Sequence, residues 1–171
     1  MTWPLQLFAF GDPARDGGFA PIDDVVMGGR SSSRAVIDGG LLVFEGEVSL
    51  ANGGGFASIR SVPIRADLSR AAALALRVRG DGRRYKLNLR ADEAFDGVTW
   101  QVRFETEAGR WQELVLPLAR FAPVLRGRPV AQAGPIQGGR IRTVGFLIGE
   151  GQAGPFRLEV AGIAAVEGLA A

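Results

Sequence analysis

The chain has no cysteine and no histidine, and Lys86 is its only lysine. Without cysteine there are no disulfides, no thiolate metal sites and no thiol nucleophile. Without histidine there is no Ser-His-Asp triad, no imidazole base and no imidazole metal ligand. Chemistry is left to carboxylates, hydroxyls, one tyrosine, one lysine and the arginines, which argues against an enzyme. No uninterrupted apolar run approaches the ~20 residues of a membrane span. The stretch MTWPLQLFAFGDPARD lacks the basic start and long apolar centre of a signal peptide. The expectation is therefore a cytoplasmic protein with no membrane span. A dominant charge is missing as well: 20 Lys plus Arg stand against 18 Asp plus Glu, a net charge of +2. No basic run or tail appears, so no nucleic-acid partner is expected.

Glycine, by contrast, is abundant, with 25 in 171 residues. That is about twice the usual share and favours many tight turns over long helices. Period-two alternation recurs along the chain and predicts strands over 3–10, 32–37, 41–50, 55–62, 73–79, 84–90, 98–106, 111–116, 141–148 and 156–164. Turn signals such as Asp38-Gly39-Gly40, Asn52-Gly53-Gly54 and Gly80-Asp81-Gly82 separate most of them. Ten short strands on this spacing predict a single all-β domain, a jelly-roll sandwich of two antiparallel sheets.

Alternation also assigns faces. Strand 73–79 places Arg77 and Arg79 opposite Leu74, Leu76 and Val78. Strand 84–90 places Arg84, Lys86, Asn88 and Arg90 opposite Tyr85, Leu87 and Leu89. Strand 98–106 places Thr99, Gln101, Arg103 and Glu105 opposite Trp100, Val102 and Phe104. If these strands are neighbours, they share one polar, mostly basic face, either simply solvated or used for recognition. Tyr85, Trp100 and Phe104 fall in register with the core, leaving no aromatic platform for a sugar or a base; Trp111 is ambiguous.

The stretch DDVVMGGRSSS offers several readings. Asp23 and Asp24, with Asp12, Asp16 or Glu45, supply the oxygen ligands that a structural Ca²⁺ would take. The preferred alternative has an aspartate capping backbone N–H groups in a turn, with no cofactor. Gly28, Gly29, Arg30 and Ser31 form an anion nest on one reading. On the other, the two glycines adopt backbone angles closed to other residues, while Val25, Val26 or Met27 plugs the core. Asp23 and Asp24 point to opposite sides of an extended strand, which disfavours paired-carboxylate glycosidase chemistry. Phe56 is expected in the core. Arg60 is expected buried or at a rim, with Asp24, Glu45 or Glu47 as its partner. Arg126-Gly127-Arg128 falls in the long irregular segment 117–139 and is read as either partner-facing or solvated.

Five phrases taken in order resemble the complex I intermediate-associated protein 30 family: DDVVMGGRSSS, LVFEGEVSLANGGGFASIR, LRVRGDGRRYKLNLR, WQELVLPLARFAPVLRGR and IRTVGFLIGEGQAGPFRLEV. The resemblance runs from about Phe8 to Ile163. It implies a galactose-binding-domain-like β-sandwich and, from the mitochondrial members, a chaperone-like role in assembling the membrane arm of respiratory complex I. Related domains occur in bacteria, and a short bacterial-type member need not keep that role. The family brings no catalytic set to transfer. The resulting expectation is a non-enzymatic interaction module with protein partners, and a carbohydrate or small-ligand binding module is the alternative.

Overall fold

The computed structural model describes residues 5–11, 18–23, 28–92 and 97–168. Asp12, Asp16, Asp24, Val25, Val26 and Met27 lie outside that set, and with them the core-plug expectation and most of the Ca²⁺ ligand set.

Thirteen strands make two antiparallel sheets, as the alternation predicts. They are β1 (Leu5–Phe8), β2 (Phe19–Pro21), β3 (Ser32–Asp38), β4 (Leu41–Val48), β5 (Ala57–Ser61), β6 (Ala71–Arg79) and β7 (Arg84–Arg90). The remainder are β8 (Thr99–Glu105), β9 (Trp111–Pro117), β10 (Ala122–Leu125), β11 (Arg128–Pro129), β12 (Thr143–Ile148) and β13 (Gly154–Glu167). The first sheet runs β3-β4-β13-β6-β9, with β1 also paired to β13. The second runs β11-β10-β8-β7-β12-β5-β2. All ten predicted segments carry a strand. The three unforeseen ones, β2, β10 and β11, are short and contain proline, which confines them to a sheet edge or its neighbour.

The inward face of each strand builds one core between the sheets. Phe44, Leu74, Leu76, Leu158 and Ile163 of the first sheet meet Tyr85, Leu87, Leu89, Phe146 and Ile148 of the second, all at most 2% exposed. Trp100 and Phe104 join them, as their register requires. Phe56 does not enter this core. It precedes β5 on the side of Ser58 and Arg60, while Ala57 and Ile59 point inward.

Two aspartates tie the sheets together at their margins. Asp23 Oδ1 accepts from Ser33 Oγ of β3 (2.6 Å) and from the backbone N–H of Ser58 in β5 (3.1 Å). Asp81 sits in the predicted Gly80-Asp81-Gly82 turn. Its Oδ1 accepts from Arg83 N (3.1 Å) and the Tyr85 hydroxyl (3.0 Å), and its Oδ2 from Arg157 N of β13 (2.8 Å). Both carboxylates therefore replace hydrogen bonds that no sheet ladder can supply where the chain crosses from one layer to the other.

Candidate functional site

The topology divides the expected basic face. Strand β6 lies in the first sheet between β13 and β9, so Arg77 and Arg79 are not beside Arg84, Lys86, Arg90 and Arg103 of β7 and β8. The chain crosses between the sheets at the Gly80-Asp81-Gly82 turn instead of folding back as a hairpin. The two faces then differ in how their charge is compensated.

On the first sheet an ion-pair ladder crosses the strands. Arg34 of β3 chelates Glu45 of β4 with Nε at 2.7 Å, and Arg157 of β13 reaches the other Glu45 oxygen at 2.5 Å. Arg157 also approaches Glu159 at 3.6 Å, and Arg79 of β6 binds Glu159 at 2.7 Å. Trp111 of β9 ends the row, with the Arg79 and Arg77 guanidiniums 4.9 and 5.6 Å from its ring centre. The ring left ambiguous by the sequence thus faces outward under two cations. Glu45 is not the partner of Arg60, since it lies on this other sheet, engaged by Arg34 and Arg157.

Hydrogen bonds from Arg34 hold the Glu45 carboxyl below the usual glutamate range, and those from Arg79 do the same for Glu159. A folded-state pKa below the unfolded value favours the folded state above about pH 4.5, and that contribution fades as pH falls further. The pairs are largely exposed, so the effect is small and screened by salt. Replacing Glu159 with glutamine should flatten the loss of stability below about pH 4.5 in low salt. Denaturation followed from pH 6 to 3 checks this, and acid limbs that superimpose for variant and parent would refute it.

The outer face of the second sheet is built differently. At one end Arg84, Lys86 and Arg103 converge on Glu150 at 3.2, 3.7 and 3.3 Å, three cations on one carboxylate. Burial alone would raise the Glu150 pKa. The hydrogen bond from Arg84 and the nearby Lys86 and Arg103 charges outweigh it and hold the group low, hence ionised. Glu150 follows β12 at φ 59°, a left-handed conformation uncommon for glutamate.

Toward the other end a cleft of about 20 Å³ is lined by Ser58, Arg60, Asn88, Arg90, Thr99, Thr143 and Gly145. Gly145 is its floor. Gly145 pairs with Arg60 of β5 on one side and Asn88 of β7 on the other, and a Cβ there would come 2.4 Å from the Ile59 carbonyl oxygen. The centre of β12 therefore carries no side chain between two polar walls. Arg90 is 4% exposed, with Asp92 at 3.4 Å. Burial lowers the Arg60 pKa, the nearby Arg90 charge lowers it further, and Asp92 opposes both. Gln101 Nε2 donates to Asn88 Oδ1 at 3.0 Å, which leaves Asn88 Nδ2 as the donor end of that amide. Thr143 is 3% exposed, and its hydroxyl has no hydrogen-bond partner.

The remaining sequence candidates are mostly architectural. Gly28 takes φ 85°, as one reading of the glycine pair requires, and Gly29 is buried. Ser31 is buried, accepts from Ser49 N at 2.9 Å and donates to Ser49 O at 3.2 Å, so it closes the β3–β4 end and builds no anion nest with the exposed Arg30. Arg126 and Gly127 form the two-residue turn of the β10–β11 hairpin at φ 52° and 78°, with Arg128 exposed beyond it. The 117–139 segment thus holds a hairpin that the sequence reading missed. Thr143, Gly145 and Glu150 were missed too. Their signals were a glycine inside a strand, which marks a close backbone approach, and a glutamate where a tight turn usually has Asn or Asp.

The model of the family described as complex I intermediate-associated protein 30 matches residues 8–160. The chain belongs to that family. A mouse relative named complex I intermediate-associated protein 30, mitochondrial, is 35% identical over 98 residues, covering 55% of this chain and 30% of its own length. A Drosophila melanogaster relative of the same name is 31% identical over 121 residues, covering 62% and 40%. This family member spans well under half of either relative. Both are named as mitochondrial, which overturns the expectation of a plain cytoplasmic location, and neither supports a bacterial-type origin. Among solved structures, the family 11 carbohydrate-binding module of a Clostridium thermocellum cellulase matches with a TM-score of 0.73 at 14% identity, over 100% of this chain and 98% of that one. A family 29 module matches with a TM-score of 0.55 at 11% identity, over 96% and 89%. At such identities the likeness establishes the galactose-binding-like sandwich fold and nothing about ligands.

Proposed function

We propose that this chain is a non-catalytic, protein-binding module that aids assembly of a respiratory membrane complex of the complex I kind. Its membership of the complex I intermediate-associated protein 30 family carries the reading. Two features of the site support binding over catalysis. Glu150 is held ionised by three cations, and a carboxylate so held is a poor proton donor at neutral pH. No group of three or more Asp or Glu side chains among the described residues is arranged to hold a metal. The face of the second sheet, from Arg84 to Arg60, is the surface we assign to the partner. Neither nucleic acid nor sugar fits it well, because Tyr85, Trp100 and Phe104 are in the core and offer no ring for stacking. No helix among the described residues is long and apolar enough to cross a membrane.

A chimera tests the proposal. The matching segment of the fly protein is replaced by this chain and expressed in fly cells that lack the native protein. Recovery of mature complex I on native gels is the expected result. A chimera that accumulates in mitochondria but restores no complex I would count against the reading.

A further inference from the structure

We propose that the cleft over Gly145 is a carboxylate-binding site, which takes an acidic side chain presented by the partner protein. The choice of a protein as the source of the carboxylate rests on the assembly-module reading above; the chemistry of the site does not. Three observations carry it. The first is the donor character of the lining. The Ser58 hydroxyl is already committed to Ile22 O, and Asn88 Oδ1 to Gln101. What faces the cleft is then the Arg60 and Arg90 guanidiniums, the Asn88 Nδ2 group and two threonine hydroxyls. Guanidinium and amide N–H groups only donate, so the complementary group is an acceptor, and best a charged one.

The second observation is Thr143. A buried hydroxyl without a partner is costly, and such groups in a stable protein ordinarily bond to something. Thr143 lies directly across from Arg90 in the β12–β7 register, so a group bonded to the hydroxyl sits beside a guanidinium. The third is size. About 20 Å³ admits one water-sized atom group and no sugar ring. A carboxylate meets that limit by inserting one oxygen toward Thr143 while the other stays at the mouth with the more exposed Arg60. The Gly145 floor, which cannot accept a Cβ, keeps the cleft open.

The test is an amide-resolved NMR titration of the whole chain with sodium acetate, against sodium chloride and sodium phosphate at matched ionic strength. Two blocked peptides follow, one alternating Glu and Ser, the other with each Glu replaced by Gln. Saturable shifts at Asn88, Thr143 and Gly145 are expected with acetate and not with chloride. The Glu peptide should bind about tenfold tighter than its Gln counterpart, a difference of about 1.4 kcal/mol. Thr143→Val should weaken peptide binding about threefold or more without lowering the melting temperature, and Arg60→Gln should weaken it further. Equal shifts in acetate and chloride, equal affinity for the two peptides, or unchanged binding by Thr143→Val would mean that the cleft holds an ordered water only. Tighter binding of phosphate than of acetate would also overturn the proposal. Acetate needs no partner, so a failed titration removes the site and leaves the chimera result standing. A failed chimera with a successful titration removes only the assembly reading.

Discussion

Replacing Asp81 with alanine is expected to cost roughly 3 kcal/mol, the upper range for losing hydrogen bonds to a charged acceptor. Three donors converge on its carboxylate, from Arg83 N, the Tyr85 hydroxyl and Arg157 N. Tyr85 is fully buried, so its hydroxyl would be left without an acceptor inside the sandwich. Burial first, and the neighbouring Asp81 charge second, push the Tyr85 pKa well above the usual tyrosine range, so the hydroxyl donates at every accessible pH. The loss is also topological, because this one side chain joins β7 of the second sheet to β13 of the first. For a chain of this length the change corresponds to about 6–12 °C in melting temperature. Asp81→Asn keeps one acceptor oxygen and should fall in between. A thermal melt of Asp81→Ala within about 2 °C of the parent would mean that the turn holds without its carboxylate.

The second large effect is expected at Phe44. Replacement with alanine should cost about 4 kcal/mol, because a fully buried aromatic leaves a cavity that its neighbours cannot fill. Its ring stands edge-on to Phe156, with centroids 4.8 Å apart, and at 6.3 Å from Tyr85. Those contacts reach across the sandwich, so the loss is shared by both sheets. Urea denaturation measures it, and a loss under about 2 kcal/mol would show that the layers close over the gap. Phe44→Leu retains most of the volume and should recover more than half of the loss.

Much of the architecture is readable from the residues, because one face of nearly every strand is buried and the other is wet. Tyr85, Leu87 and Leu89 alternate with Arg84, Lys86, Asn88 and Arg90 without a break, and the strand is observed over those residues. What alternation does not contain is which strand lies next to which. Strands β6 and β7 are joined by a short turn that reads as a hairpin, yet they lie in different sheets because Asp81 anchors the crossover. This hid the division of the basic residues into a neutralised ladder and a cationic face. Thr143 and Gly145 were hidden for a related reason: each matters only through its neighbours across the sheet, Arg90 for one and Arg60 and Asn88 for the other. The opening stretch DDVVMGGRSSS was legible as architecture. Asp23 and Ser31 stitch strand ends together, and Asp23 caps a distant backbone N–H in β5 where a local turn was expected.

The position of β13 bears on how the chain comes to be folded. This 14-residue strand is the last in the chain order, yet in its sheet it lies between β4 on one edge and β6 on the other, and β1 pairs with it as well. Until Gly154–Glu167 has left the ribosome, β4 and β6 are open edges with unpaired backbone groups, and β1 has nothing to join. Closing the sheet then requires contacts between residues more than a hundred positions apart, such as Arg157 with Glu45, which makes folding slow and largely post-translational. A nascent chain in that interval exposes two strand edges open to pairing with other chains.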